Sequence, residues 1–176
     1  MKTTGICIRK ALEMGQAADL LPETLRGADF EQYADSENGS LVTIYEVPEN
    51  LLRSASQMER WSTISRSGSS RYRDAAFIFG LWFNVPDVAL DRFDRWYEEE
   101  HTSMLLECPE WKAVRRFASI AGAAGANRLV LHHLDTSRAL DSAARQNARA
   151  TRAARWFLDQ EWFRGSTKQL LKRFTA

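Results

Sequence analysis

Ala75-Ala76-Phe77-Ile78-Phe79-Gly80-Leu81-Trp82-Phe83 is the stretch on which the fold turns. It carries no charge and is rich in aromatic residues, so it reads as a strand. Both of its alternating sets are apolar, so both faces of the strand need cover. Asn84 to Pro86 break the run, and Asp87 is placed to cap a helix. Along that helix Leu90, Phe93, Trp96, Tyr97, His101 and Met104 recur at spacings of three and four and form one stripe. Asp91, Arg92, Asp94, Arg95, Glu98 and Glu99 lie mostly away from it. Cys108-Pro109 ends the helix. Further on, Trp111 to Ile120 and Arg128 to Leu134 are predicted strands around a turn at Gly122 to Gly125. Ser137 to Phe163 is predicted helical with a break near Thr151, and Thr167 to Phe174 is a predicted last strand. The order β-α-β-β-α-β is the split βαβ pattern of ferredoxin-like domains.

Working back toward the N-terminus, the first half repeats this order more faintly. Gly5 to Arg9 reads as a strand and Gln16 to Arg26 as a helix. Phe30 to Asp35 and Leu41 to Val47 form a predicted hairpin around Glu37-Asn38-Gly39. Glu49 to Ser65 is predicted helical. The polar stretch Ser67 to Arg73 reads as a junction, which divides the chain into a degenerate N-terminal repeat, residues 1–66, and a C-terminal repeat, residues 74–176. The expected fold is therefore α+β: tandem ferredoxin-like βαββαβ repeats whose sheets meet face to face in an α+β barrel, closed either within one chain or through a homodimer. Such a barrel encloses a chamber suited to a small molecule.

Composition narrows the functional classes. The chain has 176 residues, is 44% hydrophobic and carries a formal net charge of +1, so global charge gives no reason to expect nucleic acid or a membrane surface. Arg138, Arg145, Arg149 and Arg152 recur as a helical stripe, which reads as a solvated face. Cys7 and Cys108 make no disulfide framework. The longest apolar run, Ala75 to Phe83, is too short to span a bilayer, and Met1 to Thr4 leads into no signal-like segment. A cytoplasmic location with free thiols is the expectation.

Several motifs in the second half resemble the dimeric α+β barrel superfamily, in particular its EthD-like and related uncharacterised branches. They are Phe93-Asp94-Arg95-Trp96-Tyr97-Glu98-Glu99-Glu100-His101, Cys108-Pro109-Glu110-Trp111, Arg115-Arg116-Phe117 and Leu131-His132-His133-Leu134-Asp135. Glu110-Trp111 departs from the Gly-Phe usual there, and the first half has no equivalent of the Trp-Tyr-x-x-Glu-His pattern. The resemblance implies a fold more firmly than an activity, because the superfamily hosts monooxygenases, isomerases, cyclases, decarboxylases, haem proteins and binding modules.

His101 is the leading candidate for chemistry, since an imidazole titrates near neutral pH. Tyr97 stands one helical turn before it, where its hydroxyl can hold a carbonyl or enolate oxygen. Trp82, Trp96 and Trp111 are candidates to line an aromatic pocket, Glu100 to orient His101 or act as a base, and Arg115 to pair with a substrate carboxylate. His132 and His133 alternate on a strand, so one of the two can enter the chamber; His133 is taken as that one. No metal-ligand spacing and no phosphate cradle is present, so no cofactor is expected. The reading is a cofactor-independent lyase or isomerase acting on a small apolar, aromatic or polyketide-like molecule. The alternatives are a cofactorless or haem-assisted monooxygenase, and a non-catalytic binding or assembly protein.

Overall fold

The computed structural model describes residues 4–11, 27–55, 58–121 and 125–174. The expected helix over Gln16 to Arg26 lies outside them, as does most of the Gly122 to Gly125 turn. Eight strands form the sheet: β1 (Thr4–Ala11), β2 (Asp29–Asp35), β3 (Leu41–Pro48), β4 (Glu59–Gly68), β5 (Phe77–Phe83), β6 (Trp111–Ala121), β7 (Arg128–Leu134) and β8 (Thr167–Arg173). Their order is β1-β3-β2-β8-β5-β7-β6-β4, with β4 returning to β1, so the sheet closes into a barrel within the single chain. All neighbours are antiparallel. Each half runs fourth, first, third, second: β4-β1-β3-β2 and β8-β5-β7-β6. The seams between halves are β2 with β8, where Tyr33 faces Arg173, and β4 with β6, where Gly68 faces Ala113.

β4 corrects the sequence reading. Glu49 to Ser65 is not one helix; only Glu49–Ser54 coils, as a 3-10 turn, and Glu59–Gly68 is extended. Leu51, Ala55, Met58 and Trp61 imitate helical spacing across this boundary. Ser62-Thr63-Ile64-Ser65 then favours extended backbone, because β-branched and hydroxyl side chains lose more in a helix. The strand is needed to close the barrel against β6. At the hairpin the reading holds: Gly39 takes φ +71° and its amide bonds the Asp35 carbonyl.

The barrel is packed shut. Ile6, Ile8, Tyr33, Val42, Ile44, Trp61, Ile78, Trp82, Phe117, Leu129, Leu131 and Leu171 fill its interior. The expected ligand chamber between the sheets is therefore a solid core. The face that motivated a dimer is covered by the chain's own strands. Gly80 shows how tight the packing is: a Cβ there would lie 2.6 Å from the Trp82 ring. Gly80→Ala is expected to destabilise by roughly 1–3 kcal/mol through overpacking. Urea unfolding measures this, and an unchanged midpoint would mean that the Trp82 ring is free to move aside.

The helices cover the outer face of the second half: α1 (Asp87–Trp96), α2 (Thr102–Leu105), α3 (Ala143–Ala150), α4 (Arg152–Leu158) and α5 (Glu161–Arg164). Pro86, not Asp87, precedes the first turn of α1, and no side chain caps it. Asp87 is instead its first residue, where a negative charge suits the helix dipole. Thr151 breaks the α3–α4 segment as expected, its hydroxyl accepting from the Ala154 amide. Phe83, Phe93, Trp96, Tyr97, Phe157 and Phe163 make the core between helices and sheet. No helix among the described residues is long and apolar enough to cross a membrane.

Candidate active site

The alternation of β5 decides which residues can meet. Ile78 and Trp82 point into the barrel, while Phe79, Leu81 and Phe83 point out toward the helices. On that outer side, between the sheet and α1 to α5, lies a cavity of about 350 Å³. It is lined by Phe79, Leu81, Phe83 and Phe163, by Trp96, Tyr97, His101 and Trp111, by His132, and by Arg145, Arg149, Arg164 and Lys168, among others.

His101 enters this cavity through a local irregularity. Tyr97–His101 is a π turn, in which the Thr102 amide donates to the Tyr97 carbonyl five residues back. In a regular α-helix residues i and i+5 are about 140° apart; the wider turn brings them together. The Trp96 and His101 rings are 4.3 Å apart at 32°, closer than the 5.0 Å edge contact of Tyr97 with His101. The imidazole is thus wedged between the two side chains that precede it on the helix. Turns of this kind recur at functional sites, and spacing in the sequence does not announce them.

The chemistry of His101 follows from its burial. Loss of solvent, opposed by a hydrogen bond to the Ala148 backbone and assisted by the charges of Arg149 and Arg145, pushes its pKa down to about 3. The expectation of a group titrating near neutrality is therefore corrected: the ring is neutral at physiological pH. Its Nδ1 is buried without a hydrogen-bond partner among the described residues. With the Ala148 carbonyl accepting from the other nitrogen, Nδ1 holds the lone pair. His132 is its complement. Its Nδ1 accepts from the Trp111 indole at 3.2 Å, so its proton sits on Nε2, which bonds no described residue. Burial lowers its pKa well below the usual value, with a further contribution from His101. Tyr97 makes no hydrogen bond to a described residue. Burial drives its hydroxyl pKa far up, against the pull of Arg116, so it remains an O–H donor.

The structure brings together His101, Tyr97, Trp96 and Trp111, but not the other residues singled out from the sequence. His133 points into the barrel, edge-on to Tyr72 at 4.9 Å; the pleat that turns it inward turns His132 to the cavity. Trp82 also points inward, and its indole donates to Glu59 at 2.9 Å at one end of the barrel. Arg115 is not available to a substrate carboxylate, because it lies inside the barrel paired with Glu46 at 2.7 Å. Glu100 accepts from Thr151 at 2.6 Å and from the Trp96 indole at 3.3 Å, tying the π turn to the start of α4. It lines a separate groove with Arg92 and Arg152. The sequence reading missed His132, Arg145 and Arg149. Strand alternation pointed to one histidine of the pair but not to which. For the arginines the apparent solvated stripe concealed that two of its members face the cavity. No group of three or more metal-ligating side chains occurs among the described residues.

This arrangement of strands and helices occurs in solved structures. A monooxygenase-like protein from Listeria innocua superposes with a TM-score of 0.69 at 12% identity, over 99% of this chain and 96% of that one. An anthrone oxidase-like protein superposes with a TM-score of 0.65 at 9% identity, over 99% and 92%. A heme-degrading enzyme from Listeria monocytogenes superposes with a TM-score of 0.61 at 10% identity, over 96% and 98%. The fold is ferredoxin-like, as in an uncharacterized ferredoxin fold protein from Listeria monocytogenes that superposes with a TM-score of 0.65 at 11% identity. No protein-family model matches the chain, and no curated protein sequence does either.

Proposed function

We propose that this chain is a cofactor-independent oxygenase acting on a small, enolisable aromatic molecule held between sheet and helices. The observation that carries the reading is a single one. The lone pair of His101, the N–H of His132 and the O–H of Tyr97 have no partner among the described residues, and all three side chains line one aromatic cavity. A buried polar group left unpaired is costly; His101 Nδ1 is one, and together with two donors free on the same cavity it suits a ligand that bears an acidic C–H beside a carbonyl. In this scheme His101 takes the proton, while Tyr97 and His132 donate to the oxygen on which charge develops. Trp96 and Trp111 shape the walls. Dioxygen then reacts with the carbanion: a ring CH2 becomes C=O, one oxygen atom enters the product, and the other leaves as water with the two hydrogens. Proton removal and enolate stabilisation are equally the first half of a lyase or isomerase reaction. The likeness of fold to monooxygenase-like proteins supports the oxygenase reading. A haem-assisted version fits less well, because the volume suits two or three fused rings.

Anthrone and anthrone-2-carboxylate test this. The expected result is oxygen uptake above the spontaneous rate, one molecule per anthraquinone formed, with label from ¹⁸O₂ in the new carbonyl. Deuterium exchange at the ring CH2 without oxygen uptake would replace oxygenation by lyase or isomerase chemistry. Neither signal would leave a binding protein.

A further inference from the structure

The charges around the cavity are all of one sign. Arg145, Arg149, Arg164 and Lys168 line it, and no carboxylate does. Elsewhere several cations of this chain have carboxylate partners. Arg116 and Arg128 share Asp94, and Arg116 also reaches Glu98. Arg73 and Arg115 share Glu46, Lys112 meets Asp135, and Lys10 meets Glu59. The four at the cavity form no ion pair with a described residue. Other exposed arginines, Arg53, Arg95 and Arg155 among them, have no ion pair with a described residue either; what sets these four apart is that they stand together around one aromatic cavity that no carboxylate lines.

We infer that the cavity takes an aromatic anion, a fused-ring carboxylate or phenolate, and that Arg145 and Arg149 are its anchors. The inference rests on the reading of this cavity as the substrate site, and it changes the expected ligand from an apolar molecule to a charged one. The two arginines stand four residues apart on α3 and so share one helix face. Arg145 is half-buried and held in place: it donates to the Leu140 carbonyl, and its guanidinium lies 6.0 Å from the centre of the Phe79 ring. A guanidinium positioned in advance loses little freedom on gripping a carboxylate through two parallel hydrogen bonds. Arg149, Arg164 and Lys168 are exposed and form the rim. Inward from them the walls are Phe79, Leu81, Phe83, Trp96, Trp111 and Phe163, which suit a flat apolar skeleton. Burial and the charge of Arg149 make the charged form of Arg145 less favourable, and Asp141 on its other side offsets only part of this; an anion in the cavity relieves the rest. The same two arginines act on His101, so their field reaches the residue assigned the proton.

A matched pair of probes separates charge from shape: 2-naphthoate and its neutral analogue 2-naphthylmethanol, titrated calorimetrically at low salt. The naphthoate is expected to bind at least tenfold more tightly than the alcohol. Arg145→Gln and Arg149→Gln are each expected to weaken naphthoate binding about tenfold while leaving the alcohol unchanged. Unchanged alcohol affinity also shows that the variant cavity is intact. Equal affinity for both probes in the wild type would overturn the inference, as would a preference that survives in the double variant or a failure of either probe to bind. The oxygenase reading fails separately. Selective naphthoate binding without uptake of oxygen retires that reading alone. Turnover of anthrone with no preference between the probes retires the anion alone.

Discussion

His101→Ala is expected to lower turnover by roughly a hundred- to ten-thousand-fold, the range for removing a positioned acid–base group, while leaving the protein folded. Two opposing effects set the stability cost. Truncation removes a ring packed between Trp96 and Tyr97, but it also removes a buried nitrogen that has no partner. A net loss of about 2 kcal/mol is expected, within the ordinary range for a point mutant. Tyr97→Phe keeps the edge contacts with Phe93 at 5.0 Å and with His101, so it should reduce activity less and stability hardly at all. Because His101 is neutral down to about pH 3, kcat/KM should show no inflection from this group near pH 6.5. Melting temperature and activity per folded molecule, measured on one preparation, decide the matter. A steep drop in melting temperature with unchanged activity per folded molecule would reduce His101 to a structural wedge.

Acid should destabilise this protein early and steeply. All three histidines of the chain are buried, and burial is the leading cause that lowers the pKa of each. The unfolded chain takes up protons on these rings below about pH 6.5, and the folded chain does not. Stability is therefore fully present above about pH 6.5 and falls as pH drops toward the folded values. Each histidine contributes about 1.4 kcal/mol per pH unit, or roughly 4 kcal/mol per unit for three. That compares with a total of about 5–15 kcal/mol for a typical domain. Carboxylates modify the curve lower down. Burial alone would raise Glu46, but Arg115, the Tyr72 hydroxyl and Arg73 outweigh it and hold its pKa down, so its contribution is lost below about pH 4.3. Glu31, raised chiefly by burial, works in the opposite direction for one proton. Urea unfolding from pH 8 to pH 5 should give a plateau and then this decline, with a slope about one third smaller in His132→Gln. A flat profile down to pH 5 would mean that the rings are protonated within the fold.

Phe77–Phe83, the hairpin at Gly39 and the break at Thr151 were legible in the sequence because local forces decide them. An uncharged aromatic run, a turn that needs positive φ, and a hydroxyl cap each act over a few residues. β4 was not legible, since Glu59–Gly68 is a strand only because β1 and β6 stand ready to pair with it. His101, Tyr97 and Trp96 could be named as a group from their positions along one helix. Only the tertiary structure placed them outside a solid barrel, turned His132 and not His133 to join them, and consumed Arg115 and Glu100 in internal pairs. The reason is physical: a pleat alternates faces without saying which face a distant strand will bury. A π turn adds one residue to a helical turn without a mark in the hydrophobic pattern. The four cations at the cavity, likewise, differ from other surface arginines only in standing together around one cavity that no carboxylate lines.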